Sequence, residues 1–284
     1  MTDSVRAFAP AKVNLTLHVT GQRPDGYHLL DSLVAFADIG DHISAKNADE
    51  TSLTVKGPRA AGVPTDAHNL MTKAAHLMDS ERPVALSLEK TLPAASGIGG
   101  GSSDAAATLR ALAELWDVPM PDASDTLVLG ADLPVCLAPG PQRMAGIGEQ
   151  ITPLPPLPAC DILLVNPGVH VATPSIFKAL GSRDNAPMPA QLPVWETAAD
   201  LADWLSTQRN DLEPPAVATA PVISDVLAEL SAAKGVLLAR MSGSGATCFA
   251  LFESESPDIE NAAKSIAARH PEWWVQAGKL LNPA

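Results

Sequence analysis

A chain of 284 residues lies near the size at which one hydrophobic core stops growing, so it forms either one large domain or two unequal ones. With 46% hydrophobic and 18% charged residues it is globular and not disordered. Its net charge of −13 repels phosphate backbones and disfavours a nucleic-acid-binding role, although a small anionic substrate held by local donors stays open.

From Val5 to Val19 the sequence reads as extended, with Val13, Leu15, Leu17 and Val19 alternating on one face. Pro24-Asp25-Gly26 marks a turn, and a second strand follows from His28 to Ile39. Short strands are predicted at Leu53–Val55 and Val84–Leu88, with helices over Asn69–Met78 and from the Ser102-Ser103-Asp104 cluster to Trp116. Asp122–Gly130 reads as another short helix. The stretch from Pro153 to Pro158 is a stiff linker that cannot join a central strand. Beyond it come a strand at Asp161–Val165, a helix at Pro174–Leu180 and an exposed Pro-rich loop to Pro193. Helices near Thr197–Leu205 and Val222–Ala233 lead to strands at Val236–Met241 and Thr247–Phe252, then a helix at Asp258–Ala268. Strands cluster early and strand–helix alternation dominates late, which points to a two-domain α+β architecture divided near the Pro-rich segment.

The cysteines Cys136, Cys160 and Cys248 are odd in number and widely spaced, so they read as buried thiols of a reducing compartment. The N-terminal residues carry Asp3 and Arg6 and no apolar run of a signal peptide, and no stretch approaches the roughly 20 apolar residues of a membrane span. A cytoplasmic protein with no membrane partner is the expectation. His18, His42, His68, His76, His170 and His270 show no ligand spacing, and no metal-ligating residues are assigned.

The segment most suggestive of chemistry runs from Pro93 to Ala106. Gly97, Gly99, Gly100 and Gly101 strip side chains from a loop so that backbone N–H groups can approach a ligand. Ser102 and Ser103 add hydroxyls, and a helix begins at once, which presents its positive dipole end. These features make an anion cradle suited to a polyphosphate; the plain alternative is a tight loop with a serine N-cap. The P-loop, dinucleotide-binding and protein-kinase signatures are all absent.

Four further segments carry candidates. In Ala9-Pro10-Ala11-Lys12-Val13-Asn14-Leu15 a lysine sits inside an apolar strand, costly to bury unless it meets an anion; an ordinary edge-strand lysine is the alternative. In Gly130-Ala131-Asp132-Leu133-Pro134 a buried carboxylate needs a partner, and one facing a lysine can deprotonate a hydroxyl; alternatively Asp132 only caps a helix. Met241-Ser242-Gly243-Ser244-Gly245-Ala246-Thr247 is either a flexible hairpin or a turn that lets a ligand approach, and Gly146-Ile147-Gly148-Glu149 raises the same question.

AxAKVN, PxxxGIGGGSSDAA and MSGSGAT occur in the order found in the GHMP kinases, and from about Ala7 to Phe252 the chain resembles that family. The resemblance implies a two-domain fold, with an N-terminal α/β domain of left-handed βαβ-type, ribosomal-protein-like topology over 1–155 and a ferredoxin-like C-terminal domain over 156–284. It implies that Asp132 is the catalytic base and that Lys12 stabilises charge. ATP with Mg²⁺ would lie on Pro93, Ala94, Ala95, Ser96, Gly97, Ile98, Gly99, Gly100, Gly101, Ser102 and Ser103, with Asn69 and Lys90 on the adenine side. Gly21–His28, Gly130–Pro134, Gly146–Glu149 and Thr173–Phe177 resemble the members that phosphorylate the 2-hydroxyl of methylerythritol in a cytidine diphosphate conjugate. Tyr27, His28 and Phe177 then match the cytosine-recognising positions, with Asn14 and Thr173 nearby. Ile98 stands where leucine is common, and Ala95 and Ser96 where glycine often occurs; no needed donor is lost. A kinase of the same family for mevalonate, homoserine or a sugar, and a non-catalytic nucleotide-binding protein, are the competing readings. The expected oligomeric state is monomer or homodimer.

Overall fold

The structure, a computed structural model, describes residues 3–282. Chain contacts group it into two compact units that interleave along the sequence rather than divide at 155/156. The first takes the chain up to Lys12, Gly40–Ala94 and Gly99–Pro139; the second takes Val13–Ile39, Ala95–Ile98 and everything from Gly140 on. The physical reason is that two long strands, β1 (Ser4–Asn14) and β3 (His28–Asn47), each run from one unit into the other.

In the first unit the C-terminal half of β3 pairs antiparallel with β5 (Val84–Glu89), from His42 opposite Glu89 to Asn47 opposite Val84. β5 pairs parallel with β4 (Ser52–Lys56), and helix α1 (Leu70–Met78) makes the crossover between them. Parallel neighbours require such a crossover, and Asn69 starts it by accepting from Met71 N–H at 2.8 Å. Helix α2 (Gly100–Trp116) buries Ala107, Ala111, Leu112 and Trp116 against Val5, Ala9, Ile43, Leu86 and Leu88. The alanine-rich face is small enough for helix and strands to approach closely. Short helices α3 (Ala123–Thr126) and α4 (Leu133–Cys136) follow, joined in part by a 3₁₀ turn at Leu127–Leu129.

In the second unit β2 (His18–Gln22) and the N-terminal half of β3 form a hairpin, and β3 also pairs with β6 (Gln142–Gly146), which pairs with β7 (Gln150–Pro153). A four-stranded antiparallel sheet has the order β11-β8-β10-β9, from β8 (Cys160–Asn166), β9 (Val236–Met241), β10 (Cys248–Glu253) and β11 (Trp274–Lys279). Helices α5 (Thr173–Lys178), α6 (Ala198–Ser206), α7 (Glu213–Thr219) and α8 (Val222–Ser231) lie between β8 and β9, and α9 (Pro257–Arg269) between β10 and β11. That is the β-α-β-β-α-β plan of a ferredoxin-like fold. Every residue of central strand β8 is buried, and Leu163, Val165, Ala250 and Phe252 share one core with Ile223, Val226, Ile259 and Ile266 of the helices. Thr197 and Asp200 close a reciprocal capping box on α6.

Several elements differ from the sequence expectation. β3 continues past Ile39 to Asn47, because Asp38, Gly40 and Asp41 interrupt the apolar alternation without breaking the strand. β6, β7 and β11 are short strands with polar residues at mixed positions, and α7 hides behind Pro214-Pro215, which a first helical turn tolerates. α2 begins at Gly100, two residues before the serines. Cys136, Cys160 and Cys248 are free and buried, and among the described residues no helix is long and apolar enough to cross a membrane.

His18 on β2 supplies a pH-dependent part of the second unit's stability. Burial pushes its ring below the ordinary histidine value of 6.5 against the opposing pull of Ala186 O, 3.1 Å from Nδ1. The unfolded chain therefore binds more protons than the folded one, so this contribution is full above the ordinary value and is lost as pH falls through the lowered one. Melting temperature is expected to drop between pH 7.5 and pH 5, and the drop to shrink in His18→Gln. An identical drop in both proteins removes His18 from this role.

Candidate active site

In the first unit, β1 delivers Lys12 and the segment before α4 delivers Asp132. Lys12 Nζ lies 3.0 Å from Asp132 Oδ2, with the lysine side chain 3% exposed and the carboxylate 41% exposed. The sequence expectation of a buried carboxylate does not hold: the cation is buried, and the carboxylate it meets is partly exposed. Asp132 makes no side-chain capping bond to α4, so capping does not account for it. Lys12 is 3% exposed, so it is not the solvent-facing lysine of an ordinary edge strand. Arg110 of α2 fixes the surroundings, donating to Phe8 O at 2.8 Å and to Cys136 O at 2.8 Å, and so ties β1, α2 and α4 together. Burial, then the charge of Asp132, pushes the Cys136 thiol up to about 12, so it stays a neutral spectator.

The start of α2 faces the same lysine. Gly99 is its N-cap in the left-handed region with φ 63°, and no side chain caps the helix. The N–H groups of Gly100, Gly101 and Ser102 precede the first intrahelical bond, from Ser103 N–H to Gly99 O at 2.8 Å, and therefore lack helical acceptors. A Cβ on Gly99 would stand 3.2 Å from Lys12 Cβ and Cε, so glycine lets the lysine stem lie across the loop. The plain reading of a serine N-cap fails here. Ser103 spends its hydroxyl proton on Pro10 O at 2.7 Å, whereas Ser102 Oγ makes no hydrogen bond among the described residues and lies 4.0 Å from where a Cβ on Gly130 would stand.

Lys90 and Asn69 stand in the first unit with their polar groups engaged. Lys90 Nζ donates to Asp41 Oδ2 at 2.5 Å and to Asp104 Oδ2 at 2.7 Å. Asn69 caps α1 with its oxygen and donates from Nδ2 to Pro64 O at 2.7 Å. Neither Asp41 nor Asp104 was singled out from the sequence, although Asp104 sits inside the quoted GGGSSDAA run.

The second unit holds the remaining candidates. Asn14 donates from Nδ2 to Ser32 Oγ at 2.8 Å, and its backbone N–H donates to Ser242 Oγ at 3.0 Å. Its Oδ1 is buried without a partner, an acceptor that a ligand donor would satisfy. His28 stacks on Phe177 with ring centroids 4.7 Å apart and 23° between planes. Burial, then the charge of Arg183, lowers the His28 pKa and favours the neutral ring, whose Nε2 is also buried and unpartnered. Thr173 Oγ1 lies 2.7 Å from Ser244 Oγ. Tyr27 is 58% exposed, projecting from the turn that Asp25 closes by accepting its N–H at 3.2 Å.

The Gly-Ser turn between β9 and β10 is a brace and not a flexible hairpin. Asn210 Nδ2 donates to Met241 O at 2.8 Å and Gly243 O at 2.9 Å, while Ser242 Oγ donates to Gly97 O at 3.1 Å and Thr247 N–H to Ser96 O at 3.1 Å. Asn210 was invisible in sequence, since nothing local marks its partners. The Gly146–Glu149 turn is closed by its own side chain, Glu149 Oε2 accepting Ile147 N–H at 2.6 Å, which leaves it no free donor there. Pro93, Ala94, Ala95 and Ile98 complete the loop; Ile98 is fully buried and acts as its anchor, and Ala95 takes a left-handed φ of 48°.

The family profile described as GHMP kinases N terminal domain matches residues 69–140, and that described as GHMP kinases C terminal matches residues 192–271. A Ruegeria pomeroyi protein named 4-diphosphocytidyl-2-C-methyl-D-erythritol kinase is 57% identical over 279 residues, 98% of this chain and 100% of its own length. The chain belongs to the GHMP kinases. A Cereibacter sphaeroides protein of the same name is 58% identical over 277 residues, 97% of this chain and 99% of its own. A crystal structure of 4-(cytidine 5'-diphospho)-2C-methyl-D-erythritol kinase superposes with a TM-score of 0.78 at 32% identity, covering 98% of this chain and 100% of that one. The GHMP kinase fold, mixed α/β in two domains, is therefore shown, and with it a small-molecule kinase that takes ATP as phosphate donor.

Proposed function

We propose that this GHMP kinase transfers the γ-phosphoryl group of ATP to the 2-hydroxyl of 4-diphosphocytidyl-2-C-methyl-D-erythritol, in non-mevalonate isoprenoid precursor biosynthesis. The observation that carries the chemistry is the buried Lys12 held 3.0 Å from an outward-facing Asp132, beside an uncapped helix start. The near full-length relatives carry the choice of substrate.

Asp132 takes the proton of the attacking hydroxyl as its oxygen bonds to the γ-phosphorus, and the bond from that phosphorus to the β-phosphate oxygen breaks to release ADP. Lys12 offsets negative charge as it develops, in a pocket where burial keeps the ammonium from being screened. The amides of Gly100, Gly101 and Ser102 receive phosphate oxygens at the positive end of α2. Residues 93–99 shape that approach, with Ser103 holding the helix to β1. Asn69 and Lys90 frame the adenine side as supports, since their polar groups are already bonded.

Mg²⁺ would arrive with the nucleotide, because it keeps water and phosphate oxygens in preference to an all-protein cage. The unbonded Ser102 hydroxyl is a hard oxygen ligand of the kind it accepts. When bound, the ion neutralises phosphate charge.

Tyr27, His28 and Phe177 hold the cytosine: the exposed tyrosine offers a ring face, and the neutral imidazole, already stacked, offers an unpaired nitrogen. Asn14 Oδ1 and the Thr173 hydroxyl meet the rest of the substrate. The enzyme works in the cytoplasm as a monomer or homodimer, without a nucleic-acid or membrane partner. Tyr27→Ala is expected to raise the Michaelis constant for the cytidylyl substrate about tenfold, the loss of one base–aromatic stack, with that for ATP unchanged. Unaltered Michaelis constants dispose of the stacking role.

Coupled ADP release with the cytidine diphosphate conjugate, mevalonate and homoserine offered side by side tests the whole reading. ADP only with the conjugate is the expected result. ADP with another acceptor assigns a different kinase activity, and none with any acceptor favours a non-catalytic nucleotide-binding protein.

A further inference from the structure

We propose that Asp41, Lys90 and Asp104 form a positioning clamp that sets the shape of the phosphate loop, and that Lys90 serves ATP through this clamp instead of touching the nucleotide. The inference rests on the ATP-dependent kinase reading above. Three parts of the first unit meet in it: Asp41 from β3, Lys90 just past the end of β5 and Asp104 from the first turns of α2.

The clamp grips the chain on both sides of the loop. Before it, Asp41 Oδ1 accepts Thr91 N–H at 2.6 Å and Leu92 N–H at 2.9 Å, so the two residues ahead of Pro93 are bonded to one carboxylate, while the Thr91 hydroxyl donates to Gly40 O at 2.5 Å. After it, Asp104 joins Lys90 Nζ at 2.7 Å and lies four residues beyond Gly100, on the helix whose first amides lack helical acceptors. Between the grips, Ala95, Gly97 and Gly99 take left-handed φ values of 48°, 77° and 63°. Backbone of that kind persists when its surroundings determine it.

The ammonium is also placed for the role. A Cβ on Gly100 would stand 3.3 Å from Lys90 Nζ, so the cation lies directly against the first residue of α2. Its two hydrogen bonds to carboxylates run to β3 and further along α2, leaving the nucleotide to the helix amides. Burial raises the Asp104 carboxyl to about 7, against the pull of Lys90, and burial's opposite effect on Lys90 is overcome by Asp104 and Asp41, which hold its ammonium above the ordinary lysine value. One cation shared by two buried carboxylates is costly to assemble, and its worth lies in fixing geometry.

Asp104 is the member to remove, because Lys90 and Asp41 then remain as a neutral pair and no unpaired charge is left buried. In Asp104→Ala the Michaelis constant for ATP is expected to rise about tenfold or more, while that for the cytidylyl substrate stays within about twofold. Asp104→Asn, which retains an acceptor for Lys90 Nζ, should recover most of the loss. A lower melting temperature with an unchanged ATP constant would make the cluster merely structural and overturn the clamp. Lys90→Met and the double variant Lys90→Met/Asp104→Ala complete a cycle. Non-additive effects on ATP are expected of residues acting as a unit; additive effects mean that Lys90 touches nucleotide directly. Should Lys90→Met fail to fold, Asp104→Ala against Asp104→Asn still decides the clamp. Wild-type protein that releases no ADP sinks the kinase reading instead, and ATP binding by calorimetry in the same variants then reads the clamp on its own.

Discussion

Asp132→Asn is expected to lower turnover by at least about a hundredfold while the protein still binds ATP, since the amide matches the carboxylate in size and cannot take a proton at neutral pH. Different groups carry the two effects. On the proposed reading the phosphate donors are the first amides of α2, not Asp132, and Arg110 continues to hold β1, α2 and α4 in place. Lys12, buried to 3% exposure, loses its anionic partner, so the empty variant should melt lower than wild type. ATP brings phosphate charge to the same lysine, and its addition should recover part of that stability. Single-turnover kinetics, an ATP titration by calorimetry and melting curves with and without ATP check these three outcomes. Turnover close to wild type removes Asp132 from proton transfer; loss of ATP binding together with turnover makes it part of the phosphate site.

Much of this arrangement was legible in the sequence, for reasons that differ by residue. A lysine inside an apolar strand and a glycine run ahead of a helix are locally anomalous, and each carries its own chemical reason. That Lys12 meets Asp132 comes from the resemblance, because 120 positions separate them and only folding brings them to 3.0 Å. Only the carboxylate departs from the expected burial: the apolar run Leu133–Cys136 is buried throughout, but Asp132 just ahead of it is 41% exposed. Asp41 and Asp104 escaped notice because each is a common residue type in an ordinary element, and only Lys90 between them gives either a role. The short strands β6, β7 and β11 lack a clean period-two pattern, so their pairing partners, and not their own residues, make them strands. Asn210 belongs to the same class: its amide finds two carbonyls of the β9–β10 turn across more than thirty positions.

Gly97→Ala should be the most damaging single methyl group in the phosphate loop. Gly97 has φ 77°, and a Cβ there would stand 2.6 Å from Ser242 O, 2.7 Å from Gly245 O and 2.9 Å from Gly245 N. All three are backbone atoms, so no side-chain rotation relieves the overlap. The turn that supplies them is itself fastened, by Asn210 Nδ2 to Met241 O and Gly243 O, and by Ser242 N–H to Thr247 O at 2.9 Å. The loop must therefore retreat, which breaks the bonds from Ser242 Oγ to Gly97 O and from Thr247 N–H to Ser96 O. Left-handed strain of about 1–2 kcal/mol adds to overpacking of about 1–3 kcal/mol, a loss of roughly 2–5 kcal/mol in stability. Gly181→Ala is the fitting control, because a Cβ there meets nothing within 4 Å and no left-handed φ is involved. Melting curves of the two variants should diverge by many degrees, and the Michaelis constant for ATP should rise only in Gly97→Ala, since a displaced Gly97 moves the chain leading into Gly99 and α2. A Gly97→Ala protein with wild-type melting and wild-type ATP kinetics would show that the β9–β10 turn yields to the loop, and that the amides at the helix start are set from the α2 side alone.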